Sequence, residues 1–248
     1  MSALTMPGVR GDLTADTLDR WVPASDDFAL VAVDLYRDIH KGIRSELASL
    51  VESAGSLDPS NTEDRRAVAD HVLATHALLE MHAHHEDGVI QPVLENELPV
   101  LADRIERDHL ELDARLGRIA DMASDLAGGT DARRRTHQLY LDLARFTSDY
   151  FVHIDIEERV LMPALERSVG PDAVGAMHGA IIATIPPDEL AKSLAFMLPA
   201  MNVDDRCEML GGIQAGAPAD VFAGIAALAK SVLRSDDYRA VAHRLGLA

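Results

Sequence analysis

Residues 82–92 read HAHHEDGVIQP and residues 153–163 read HIDIEERVLMP. Each stretch sets an acid four residues after a histidine, a second acid directly behind it, and a proline six residues after the first acid. On a helix, residues four apart sit one above the other on one face. His82 with Glu86, and His153 with Glu157, therefore each aim an imidazole and a carboxylate the same way. Nitrogen and carboxylate oxygen, supplied twice, suit a pair of iron-like ions bridged by carboxylates.

The flanking sequence carries both motifs on helical stripes. One helix is predicted over about 62–96, with Val68, Val72, Thr75, Leu79, His82, Glu86, Val89 and Val93 inward, and Pro92 kinking its end. Another is predicted over about 131–168, with Leu139, Leu143, Phe146, Tyr150, His153, Glu157, Val160 and Ala164 inward. Upstream, Ser25, Asp26 and Asp27 suit the exposed N–H groups of a helix start. From there Leu30, Val33, Tyr36, His40, Ile43, Leu47 and Leu50 form a stripe that ends at Gly55. Asp58-Pro59 marks a turn. After Pro99 a further stripe holds Leu101, Ile105, His109, Leu112, Leu116, Ile119 and Leu126, closed by Gly128-Gly129.

Short links between long helices imply antiparallel neighbours, so the expected core is an up-down four-helix bundle. Each of its helices holds one stripe histidine: His40, His82, His109 and His153. Measured from one end of such a bundle, they lie about 15, 15, 11 and 14 residues in, a scatter of roughly 6 Å at the helical rise. Glu86 and Glu157 come level with His109. Four imidazoles and two carboxylates on four apolar stripes thus converge on one layer. Buried carboxylates are costly unless paired or bound to a cation, which favours metal over a purely polar core layer.

Composition agrees with a helical, metal-binding protein. The 248 residues are 48% hydrophobic but only 4% aromatic, which favours helices packed on helices over a sandwich or barrel. A formal net charge of -18 argues against nucleic acid or an anionic membrane as partner. The one cysteine, Cys207, excludes an internal disulfide and a cysteine-based metal knuckle. No run reaches the roughly 18 apolar residues of a membrane span, and the N-terminus has no signal-peptide pattern, so a cytoplasmic location is expected.

Other polar residues on these helices carry weaker expectations. His85 is a candidate partner behind the ligands or part of an entry path, and His84 a solvated side chain. Asp113, four residues after His109, reads as an extra ligand, as a group orienting His109, or as a surface acid. His71 shares the face of His82 but lies about 16 Å away along the helix, too far for the same site. His76, His137, His178 and His243 join no cluster. Tyr36 and Tyr150, one turn before His40 and His153, read first as core packing and second as hydroxyls aimed at a ligand.

At these residues the chain resembles the hemerythrin-like, or HHE cation-binding, family. The repeated H-x-x-x-E-[ED]-x-x-x-x-P, the stripe histidine on the first helix and the "DHLEL" histidine on the third are similar to that family's pattern over about residues 25–168. The resemblance implies an all-α, antiparallel four-helix bundle around a non-haem, oxo- or hydroxo-bridged pair of iron ions, with manganese or zinc behind iron as alternatives. His40, His82, His109 and His153 would be terminal ligands, and Glu86 and Glu157 bridges. Oxygen-carrying members have two ligand histidines four apart on the third helix, whereas this chain has His109 and then Asp113. A more carboxylate-rich site favours reaction with dioxygen, peroxide or nitric oxide over reversible oxygen carriage.

Residues 1–24 read as an irregular lead-in and 169–248 as a helical appendage, with short helices over 171–184, 187–200, 204–214, 218–233 and 235–245. Pro171, Pro187 and Pro218 stand near helix starts, where a fixed φ is tolerated. A homodimer through this region is one expectation. Three functional classes remain open: a di-iron redox protein with peroxide-decomposing or oxidase-like activity, a non-catalytic iron or oxygen sensor acting through the C-terminal helices, and a metal-free helical interaction protein.

Overall fold

The structure, a computed structural model, describes Thr14 and residues 29–126 and 131–247. Every regular element among them is helical. The elements are α1 (Arg37–Ser56), α2 (Thr62–Val89), α3 (Gln91–Glu97), α4 (Pro99–Leu126), α5 (Ala132–Ile156), a π-helical turn (Glu157–Leu161) and α6 (Met162–Val169). There follow α7 (Pro171–Thr184), α8 (Pro187–Ala200), α9 (Val203–Gly216), α10 (Ala219–Val232) and α11 (Ser235–Leu245). The five C-terminal helices fall where the proline starts and amphipathic runs place them. None of the described helices is long and apolar enough to cross a membrane. The irregular lead-in (Thr14 apart), the helix start at Ser25, Asp26 and Asp27, and the Gly128-Gly129 stop lie outside the described residues.

Contacts divide the chain into two units, residues 1–36 with 46–181, and residues 37–45 with 182–248. In the larger unit α2 packs along α4, α4 along α5, and α3 against α4 and α6. Its buried side chains include Val72, Leu79, Leu112, Leu116, Leu139, Leu143 and Phe146 on the long helices. Ile90, Leu94, Leu101, Ile105, Val160, Leu161 and Leu165 form a further apolar cluster with Tyr36. Each such aliphatic side chain contributes about 1.5–3 kcal/mol by leaving water. The polar stripe residues of α2, α4 and α5 lie in sequence between these two sets.

The first stripe starts later than its pattern predicts. It calls for a helix from Ser25, but α1 begins at Arg37, and Leu30, read as inward, is 88% exposed. One distant and one local carboxylate take the backbone donors that a helix would need. The N–H groups of Ala32 and Val33 donate to Glu166 Oε2 at 2.7 and 3.0 Å, and the Tyr36 N–H donates to Asp34 Oδ1 at 3.0 Å.

The two motif prolines act differently. Near Pro92, where a kink is predicted in a helix over 62–96, the helix is interrupted: α2 stops at Val89 and α3 restarts at Gln91, while the Ile90 N–H still donates to the Glu86 carbonyl at 2.8 Å. Pro163 is instead absorbed by the π turn, which the sequence pattern does not signal. There the Met162 N–H donates to the carbonyl of Glu157, five residues back.

The smaller unit has its own core of Leu194, Leu198, Leu210, Ala229 and Val241. Within it α8 packs on α10 and α9 on α11. Arg206, 4% exposed, donates to the carbonyls of Leu198 and Pro199 at 2.7 and 3.2 Å and so satisfies the end of α8. Arg37 and Lys41 pair with Asp205 in the same unit. Gly42 sits against Phe196 so closely that an added Cβ would lie 2.4 Å from the ring.

Replacing Glu166 with alanine removes the acceptor that holds residues 32 and 33. The expected result is faster hydrogen exchange at the Ala32 and Val33 amides and a stability loss of about 1 kcal/mol in urea unfolding.

Candidate metal centre

Helix periodicity delivers the ligand-type side chains to the protein interior. His40 on α1, His82 and Glu86 on α2, His109 on α4, His153 on α5 and Glu157 at the head of the π turn are all buried, none more than 8% exposed. Five of the six lie in the larger unit, and His40 lies on the segment of α1 that groups with the smaller one. Within the larger unit they fall into two groups, His82 with Glu86, and His109 with His153 and Glu157, and the latter three offer ligand atoms within 4.8 Å of one another, close enough to hold a metal ion.

The glutamates link the imidazoles of the larger unit. Glu86 Oε1 lies 3.1 Å from His82 Nε2, while its Oε2 lies 3.3 Å from His109 Nε2. Glu157 Oε1 lies 3.3 Å from His153 Nε2 and 3.9 Å from His109 Nε2. The rings of His109 and His153 meet edge to face, their centroids 4.9 Å apart. Nitrogen and carboxylate donors without sulfur form the set expected for iron, manganese or zinc.

Charge and burial compete here. Burial is the largest influence on His109 and lowers its pKa, but its hydrogen bonds to Asp87 and Glu86, with the charges of Glu86 and Glu157, together outweigh it and push the imidazole up to about 11. Burial also dominates at His153, lowering its pKa, with Asp108 opposing. The Glu157 carboxyl is held well above its ordinary range, first by burial and then by the Glu86 charge. Tyr36 and Tyr150 are pushed up by burial and by both glutamates, so both remain neutral phenols beside the site.

Two carboxylates that the sequence pattern did not assign touch these rings. The Nδ1–H of His109 donates to Asp87 Oδ1 at 2.9 Å. Asp108 Oδ2 lies 3.6 Å from His153 Nδ1 and accepts a bond from Arg104 Nε at 2.7 Å. The available signal was adjacency: Asp87 follows Glu86 and Asp108 precedes His109. Asp113, read as one possible orienting group for His109, is exposed and belongs to neither group. His84 is exposed and His85 half-buried. His71, read as too distant, is engaged elsewhere, with its Nε2 2.9 Å from Glu46 Oε1.

A family model described as hemerythrin HHE cation binding domain matches residues 31–165. No curated protein and no solved structure gives a match.

The elevated His109 pKa sets a pH dependence for protein freed of metal. A group whose folded pKa lies above its unfolded value of about 6.5 stabilises fully below 6.5 and loses that contribution as pH rises toward the folded value. Thermal unfolding of the metal-free protein is therefore expected at lower temperature at pH 9 than at pH 7. In that window His153, with its lowered pKa, is neutral in both states and adds nothing. An unchanged or rising midpoint would contradict the charge state assigned to His109.

Proposed function

This chain is a member of the hemerythrin HHE cation-binding domain family, and on that premise we propose a carboxylate-bridged di-iron centre within an antiparallel, up-down four-helix bundle built on α1, α2, α4 and α5. His40, His82, His109 and His153 serve as terminal ligands, and Glu86 and Glu157 bridge. One observation carries this reading: the two oxygens of Glu86 face imidazole nitrogens of two different helices, at 3.1 and 3.3 Å. A carboxylate spanning two imidazoles is what bridging between neighbouring ions requires.

Bound there, two irons would supply exchange of two electrons with dioxygen, peroxide or nitric oxide. The protein's own groups supply the rest. Glu86 and Glu157 bring negative charge that offsets a pair of cations in a low-dielectric interior. The imidazoles donate as neutral ligands, so His109 must release its proton when metal enters, and uptake should weaken as pH falls. The surrounding aliphatic side chains and the neutral phenols of Tyr36 and Tyr150 limit water near the ions.

A sensor reading has one observation in its favour. The segment of α1 that carries His40 groups by its contacts with the C-terminal helices, where Arg37 and Lys41 pair with Asp205. A redox enzyme should turn over peroxide. A sensor should instead change hydrogen-exchange protection in α8–α11 when iron is removed.

Elemental analysis of protein purified from its own host is expected to give two irons per chain. Glu157→Ala should lose metal, and His84→Ala, altering an exposed residue, should keep it. Retention of both irons by Glu157→Ala would remove the ligand assignment.

A further inference from the structure

The ligand candidates of α4 and α5 are each backed by an acid from a neighbouring helix, in a repeating order. Asp87 on α2, next to Glu86, reaches His109 on α4. Asp108 on α4, next to His109, stands 3.6 Å from His153 Nδ1 on α5, just beyond hydrogen-bond length. In both cases the acid faces Nδ1, and Nε2 faces a glutamate, at 3.3 Å for His109 with Glu86 and for His153 with Glu157. α2 and α4 thus each contribute a ligand candidate and, one residue away, the acid that faces the next helix's imidazole.

We propose that Asp87 and Asp108 are positioning residues that hold the proton of His109 and His153 on Nδ1, so that Nε2 is the nitrogen each ring presents to metal. The inference rests on the di-iron reading above. A neutral imidazole has one N–H and one lone pair, and the partner of the first decides where the second points. An acceptor on Nδ1 therefore fixes both tautomer and ring orientation and makes Nε2 the more basic donor.

The two acids are themselves held differently. Asp87 makes the shorter contact but its side chain is 54% exposed. Asp108 is 14% exposed and its longer approach is fixed in place by the Arg104 guanidinium, which bonds the same oxygen at 2.7 Å. Asp108 and His153 also line a surface groove of about 210 Å³ together with Arg104, Arg115, Arg145 and Asp149. Arg115 and Arg145 both pair with Asp149, so the groove's charges are largely matched among themselves. The outer edge of His153 is thus the ligand face nearest this opening, and Asp108 is the group that occupies it.

Metal-free wild type, Asp87→Ala, Asp108→Ala, the two asparagine variants and the exposed control Asp103→Ala would be titrated with Zn²⁺ against a chromophoric chelator. Alanine variants are expected to bind on the order of 10–100-fold more weakly. Asparagine, whose carbonyl oxygen still accepts from Nδ1–H, should recover part of that loss. Asp103→Ala should match wild type. Nitrogen-15 spectra of the zinc-loaded ring supply the readout that general destabilisation would not move: Nδ1 protonated and Nε2 bound in wild type and asparagine variants, with that signature lost at the affected ring in the alanine variants. Where an alanine variant does not fold, the ring state of its asparagine counterpart decides. Metal bound through Nδ1, or alanine variants with wild-type affinity and tautomer, would overturn the positioning role while leaving the metal centre standing. Wild type that takes up no zinc would overturn both.

Discussion

Two carboxylates share one buried layer in this protein, and the rest of the site answers that fact. Glu86 and Glu157 are 6% and 0% exposed, and removing an ionised carboxylate from water costs several kcal/mol even after relaxation. Burial first, and the Glu86 charge after it, hold the Glu157 carboxyl well above its ordinary range. Apolar packing alone does not tolerate such a layer. Imidazoles at about 3 Å, a protonated His109 and, in the proposed state, two cations are the available means of balancing it.

The helices deliver these groups through backbone features set by proline. A proline six residues after each glutamate removes one N–H donor and crowds the carbonyl four residues before it. On α2 the chain answers with a break at Ile90. On α5 it answers with a π turn that begins at Glu157 itself. A π turn inserts one extra residue and so rotates everything downstream by about 100° relative to an uninterrupted helix. The result is that Leu161, Met162, Ala164 and Leu165 can all be fully buried just beyond the glutamate, a dense apolar floor that a single stripe would not provide.

Much of the candidate site was legible because helical spacing is strict. His82 with Glu86 and His153 with Glu157 had to share faces, and the stripes that hold them had to face inward. The same rule misjudged residues 29–36, since periodicity does not show that the Glu166 and Asp34 carboxylates take backbone donors there. It offered Asp113 as one possible partner of His109, beside the surface-acid reading that matches its exposure, because it looked along one helix. The acid that bonds this ring, Asp87, comes from another helix, at a distance no intrahelical repeat reports.

The residue types, their four-residue spacing and the apolar stripes around them determined that this chain is helical and that it carries imidazole and carboxylate into its core. Those are local properties, written in a period of 3.6 residues. Tertiary structure alone decided which oxygen meets which nitrogen, that Glu86 spans His82 and His109, and that Asp87 and Asp108 stand behind the rings. Such contacts depend on the relative rotation and axial offset of separate helices, to within about an ångström, and no repeat within one helix encodes either quantity.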